Sequence, residues 1–119
     1  MADKMIVIIR KPPYGTEEAF AGARLALGGL VSGAIDKADV LLIGDGTFNA
    51  IESQVPAAIE MPSNEEALEN LMDMEGSVFC VIEDLDLRAS GAKILDGIKL
   101  INRADVRDIM DQYQVVNTF

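Results

Sequence analysis

The 119-residue chain has no histidine, no tryptophan and one cysteine, and it carries half as many basic side chains as acidic ones. Each shortage removes a class of chemistry. Without histidine there is no Ser-His-Asp triad and no Cys-His pair. One cysteine gives neither a disulfide framework nor a Cys/His zinc site. Ten basic against twenty acidic residues set a net charge of −10. That balance argues against non-specific nucleic-acid binding, which depends on lysine and arginine neutralising phosphates. No run of eighteen apolar residues occurs, so no membrane span is expected. The apolar run after Met1-Ala2-Asp3-Lys4 is too short for a secretory signal. A soluble, cytoplasmic protein is the expectation.

What the chain does have is apolar mass and a segregated charge. Half of its residues are hydrophobic, enough for one core at this length, so a single domain over residues 1–119 is expected. Residues 38 to 87 hold twelve acidic side chains and no basic one, while the rest of the chain holds ten basic and eight acidic groups. Arg88, Lys93, Lys99, Arg103 and Arg107 follow the acidic window directly. This basic segment is expected to meet an acidic surface of a neighbouring subunit.

Hydrophobic periodicity alternates between strand and helix. Met5 to Ile9 is a continuous apolar run of the kind buried on both faces of a parallel sheet. It stops at Arg10-Lys11-Pro12-Pro13-Tyr14-Gly15, a loop. Thr16 offers an N-cap hydroxyl ahead of Glu17 and Glu18, and Phe20, Ala23, Leu27, Leu30 and Val31 mark a helical stripe ending near Ser32-Gly33. Val40 to Ile43 predicts a second strand running into Gly44-Asp45-Gly46. Thr47 then caps a short helix through Ile51, which Val55-Pro56 ends. Ser63-Asn64-Glu65-Glu66 fits a capping box for a helix that buries Leu68, Leu71 and Met72 and stops at Gly76. Val78 to Ile82 predicts a third strand, followed by a short helix to Ser90. Ile98 to Ile101 predicts a weaker strand, and Asn102 caps a last helix with Val106, Ile109, Met110 and Tyr113 on its apolar face. Gln114 to Thr118 predicts a fifth, edge strand. The sum is an α/β three-layer sandwich around a mainly parallel five-stranded sheet, with helices on both faces.

Ligands of such sheets bind beyond the carboxyl ends of the strands. Three loops lie there: Tyr14-Gly15-Thr16 at a helix N-terminus, Asp45-Gly46 in a close turn, and the acidic lip Glu83, Asp84 and Asp86. Neither G-x-G-x-x-G after the first strand nor a P-loop occurs, so dinucleotide and P-loop binding are unsupported. No spacing requires a metal, and solvated acids account for the lip. No cofactor is expected. Cys80 falls in mid-strand, where a cysteine behaves as a small buried hydrophobe.

The apolar first strand leading to Pro13-Tyr14-Gly15-Thr16, the Ala/Leu-rich helix from Ala19 to Leu30, the segment Leu42-Ile43-Gly44-Asp45-Gly46-Thr47-Phe48, and Leu87-Arg88-Ala89-Ser90-Gly91 occur in that order. In these features the sequence resembles the DsrE/DsrF-like sulfur-relay family, which includes the TusBCD components. The resemblance implies a small five-stranded α/β domain that assembles with itself or with paralogous subunits. It also implies contact with a sulfur-carrier protein. Active members carry sulfur as a persulfide on an exposed cysteine thiolate, about eight residues before the glycine that Gly91 matches. Counting back from Gly91 lands on Glu83, not on Cys80. The first reading is therefore a non-catalytic or ligand-binding subunit with Glu83 at the carrier position. A three-residue offset would instead make Cys80 the carrier of a sulfurtransferase. A third reading is a small-anion or nucleotide-binding module using Tyr14, Gly15, Thr16, Asp45 and Gly46.

Overall fold

A computed structural model of the chain describes residues 4–14, 17–52, 54 and 63–119. Strands β1 (Lys4–Ile9), β2 (Lys37–Leu42), β3 (Val78–Val81), β4 (Lys99–Ile101) and β5 (Val115–Thr118) form one sheet in the order β4-β3-β2-β1-β5. Every neighbouring pair is parallel. Helices α1 (Glu18–Ser32), α2 (Asn64–Asp73), α3 (Ile82–Ala89) and α4 (Val106–Met110) pack on it. The expected α/β architecture is present, with a sheet that is parallel throughout. Among the described residues no helix is long and apolar enough to cross a membrane.

Side chains alternate between the two faces with the period of a strand. Val7, Ile9, Val40, Leu42, Val78 and Cys80 point to one face, where α1, α2 and α3 supply Ala23, Ala26, Leu68, Leu71 and Leu85. Ile6, Ile8, Leu41 and Val81 point to the other, against Val106, Ile109, Met110 and Tyr113. Chain order explains the imbalance. From β1 to β4 the chain advances step by step across the sheet, with its helices on one face. The return from β4 to β5 crosses the opposite face, and only α4 with the 3₁₀ turn Arg103–Asp105 spans it.

Several local expectations are corrected. α1 meets the sheet through small residues, Ala19, Gly22, Ala23 and Ala26, while Val31 is 67% exposed; small side chains let the helix lie close to the strands. β2 starts at Lys37 rather than Val40 because Asp39 is buried within it. The Asp39 carboxylate accepts the Ser77 N–H at 2.7 Å and the Tyr113 hydroxyl. Burial raises the Tyr113 pKa, and the Asp39 carboxylate raises it further. Ile82 opens α3 instead of closing β3. Thr47 lies inside the 3₁₀ segment Gly44–Ala50, donating to Gly44 O at 2.8 Å, and does not cap it. Asn102 makes no side-chain cap bond, and Glu75 (φ 69°), not Gly76, takes the left-handed turn after α2. Ser63 does cap α2, accepting the Glu66 N–H at 3.0 Å. The cap expected of Thr16 and the helix stop at Val55-Pro56 lie outside the described residues.

Gly46 is pressed against β1: a Cβ there would stand 1.9 Å from Ile9 O, whereas at Gly28, on the exposed side of α1, it would meet nothing within 4 Å. Gly46→Ala should therefore lower unfolding free energy by about 3 kcal/mol. Gly28→Ala should raise it by about 0.5–1 kcal/mol through helix propensity. Urea denaturation of the two variants checks both signs.

Candidate functional site

Two polar clusters organise the carboxyl edge of the sheet. The first joins the loop after β1 to the 3₁₀ segment after β2. Asn49, fully buried, donates to Lys11 O at 3.0 Å and to Gly46 O at 2.9 Å. Its carbonyl accepts from Asn64 at 3.2 Å, and the Asn64 carbonyl accepts from Arg24 at 2.9 Å. Arg24 also stacks on the Phe20 ring, 3.8 Å from its centroid. Burial lowers the Arg24 pKa, against the opposing influence of Glu66 and Tyr14. Buried amides require such partners, so this chain of contacts is a structural clamp. No motif pointed to the contact itself; only folding brings together residues this far apart in sequence.

The second cluster holds the acidic lip. Asp84, in the first turn of α3, is buried; one oxygen accepts the Gly44 N–H at 2.9 Å and the other binds the Arg103 guanidinium. Glu83 is exposed and accepts the Arg103 backbone N–H through both oxygens, at 2.9 and 3.1 Å. Arg88 Nε donates to Asp45 at 2.7 Å, and a second guanidinium nitrogen reaches Asp84 O at 3.1 Å. Within the basic segment, Arg88 and Arg103 each have an acidic partner in the same chain. Helical i, i+4 spacing explains Arg88, and the turn leading into α4 delivers Arg103. Burial works to raise the Asp84 pKa, but the Gly44 N–H, Arg103 and Arg88 outweigh it and the net shift is downward. Such a carboxylate stays ionised and is a poor proton donor or acceptor.

Cys80 sits in β3 at 0% exposure, in the core beneath α1, α2 and α3. Its thiol is pushed up to about 12, first by burial and then by the Asp84 charge. At neutral pH it is a thiol rather than the thiolate that sulfur chemistry uses.

The fold thus brings Asp45, Gly46, Glu83 and Asp84 to one edge, with Cys80 below it. Gly15 and Thr16 lie outside the described residues. Tyr14 lies close enough to Arg24 to act on its charge, and its buried hydroxyl has no hydrogen-bond partner among the described residues. A cavity of about 530 Å³ opens on the thinly covered face, lined by apolar Ile43, Val81, Val106 and Met110 and by charged Asp84, Arg103, Arg107 and Asp111. No group of three or more acidic or cysteine side chains among the described residues converges as a metal site would.

A depressed carboxylate stabilises the fold above its unfolded pKa of about 3.9, and that contribution is lost as pH falls through the lower folded value. Asp84→Asn should cost about 1–3 kcal/mol at pH 7. It should also flatten the stability loss between about pH 5 and pH 2 relative to wild type, as read by thermal unfolding across that range.

Comparison with known proteins bears on what this edge belongs to. The chain is similar to an uncharacterized protein of Methanocaldococcus jannaschii, 31% identical over 98% of this chain and 99% of that protein. It is also similar to one of Methanopyrus kandleri, 36% identical over 64% of this chain and 60% of that protein. Among solved structures, the ychN protein of E. coli superposes with a TM-score of 0.89 at 21% identity, covering 98% of this chain and 99% of that one. A conserved protein of unknown function from Bacteroides thetaiotaomicron superposes at 0.69 with 11% identity, covering 97% and 94%. At these identities the two structures establish a shared fold. The DsrE/DsrF-like family model matches residues 3–119, and the chain belongs to the DsrE/DsrF-like family.

Proposed function

We propose that this chain is a non-catalytic subunit of sulfur-relay type. It works in intracellular sulfur handling by assembling with copies of itself or with paralogous subunits, and by engaging a sulfur-carrier protein. In this reading Glu83 stands where an active relative holds its cysteine, and Glu83 and Asp84 clasp Arg103 instead of carrying sulfur. One observation supports it above the others: the sole sulfur nucleophile, Cys80, is fully buried and its thiol is pushed up to about 12. A persulfide carrier needs an accessible thiolate to accept sulfur and to present it again. The ionic clasp at the edge supports the same reading. Asp84 is held by a backbone N–H and an arginine, and Glu83 by a backbone N–H, which suits a position that keeps its shape while partners dock.

Intact mass spectrometry after incubation with polysulfide separates this from the Cys80 reading. The native protein should keep its mass, and a gain of about 32 Da, one sulfur atom, should appear only once the chain is denatured. A 32-Da adduct on the native protein that vanishes in Cys80→Ser would overturn the proposal and make Cys80 the carrier.

A further inference from the structure

The two edges of the sheet are built differently. β4 is three residues long and contains Lys99, which donates to the Ser77 hydroxyl at 3.0 Å and lies 5.6 Å from the Phe79 ring centroid. Short, charged edges of this kind resist pairing with another chain. β5 has no such guard beyond its shortness. From Gln112 to Phe119 there is no charged side chain, no proline and no glycine, and Val115, Val116 and Thr118 are β-branched.

The direction of the β5 backbone groups follows from its ladder. Phe119 donates its N–H to Ile8 O at 2.8 Å, and its carbonyl accepts from Arg10 N at 2.8 Å. Inward and outward residues alternate along a parallel ladder. Residues 115 and 117 therefore face β1 as Phe119 does, while Val116 and Thr118 turn their N–H and C=O groups outward. Among the described residues these outward groups have no hydrogen-bond partner. Val116 is also 43% exposed, a large apolar side chain beside an open edge.

We propose that β5 pairs with β5 of a second copy of this chain, antiparallel, about a twofold axis at Asn117. In that register Val116 opposes the partner's Thr118 and Thr118 opposes the partner's Val116. Both are hydrogen-bonded pairs, so all four outward groups on each strand are satisfied by four N–H···O bonds across the axis. Asn117 opposes its own counterpart as a non-hydrogen-bonded pair, where side chains approach most closely. Its amide suits that place: its one described contact is a weak donation to Met5 Sδ at 3.6 Å, which leaves a carbonyl and an N–H for the opposing amide.

The edge matches itself, as an isologous contact must. Electrostatics permit the same occupant. Two chains of net charge −10 repel, and an uncharged edge lets them meet without forcing like charges together. This pairing names a surface for the assembling-subunit reading and does not depend on the sulfur chemistry.

Cysteine cross-linking tests the register. Opposed non-hydrogen-bonded residues have Cα atoms about 4.5 Å apart, inside the range a disulfide spans. Oxidised Asn117→Cys should run as a covalent dimer of twice the 12.8 kDa chain mass on a non-reducing gel. Thr118→Cys should not, because residue 118 opposes residue 116. Val116→Pro removes an outward N–H without touching the β1 ladder, so it should halve the assembly mass in light scattering, or reduce it further, with the circular dichroism of wild type. An assembled wild type whose Asn117→Cys variant stays uncross-linked would overturn this pairing and leave the assembling-subunit reading standing. A monomeric wild type would overturn both. Equal cross-linking of Asn117→Cys and Thr118→Cys would overturn the register.

Discussion

The return of the chain from one edge of the sheet to the other rests on a buried carboxylate. Asp39 lies inside β2 with no exposed surface and must be paired, because an isolated buried charge costs many kcal/mol. Its hydrogen-bond partners are the Ser77 N–H at the entrance to β3 and the Tyr113 hydroxyl just beyond α4, and the Lys37 ammonium stands 3.9 Å away. α4 has five residues and would not persist as a free helix. Tyr113 holds its far end, and the Arg103 clasp to Glu83 and Asp84 holds the turn before it. Between these two anchors the chain crosses a face of the sheet with little apolar cover, and β5 reaches its place beside β1.

The same economy of cover shapes the carboxyl edge. Three helices seal one face and enclose Cys80 there, while a cavity opens on the other face beside α4. The acids of the lip do not form an open anionic cleft: Arg88 and Arg103 bracket them, and the 3₁₀ segment after β2 gives Asp84 a backbone N–H. Two of the acids gathered at this edge, Asp45 and Asp84, are thus ion-paired within the chain. What remains of the −10 sits largely on helix surfaces and in loops, where water screens it.

Membership in a family whose active members use a reactive thiol makes the depth of Cys80 informative. A shared fold does not by itself carry a shared chemistry, because sites are grafted onto scaffolds. The scaffold depends on alternating apolar runs and close turns, which survive at 21% identity to the E. coli structure. A thiol chemistry depends on the exposure of one side chain, and in this chain Cys80 is enclosed in the core.

Much of the fold was legible in the sequence because strand and helix periods are local. Met5 to Ile9, the Ser63 cap with its Glu66 partner, and the apolar positions of α4 could all be read from their neighbours alone. The misreadings also have local causes. Charge hid Asp39 from the strand pattern, and the larger side chains of α1 drew attention from the alanines and glycine that touch the sheet. Ile82 continued a β-branched run that the chain bends into a helix. Local pattern alone set most of the elements, the α/β class and the acidic window. Folding in three dimensions set the rest: that Arg88 pairs with Asp45 and Arg103 with Asp84, that Asn49, Asn64 and Arg24 form one clamp, that Cys80 is sealed, and that β5 faces outward on one side. Those facts depend on contacts between residues far apart in the chain, and no local pattern encodes which distant charge or backbone group a side chain will meet.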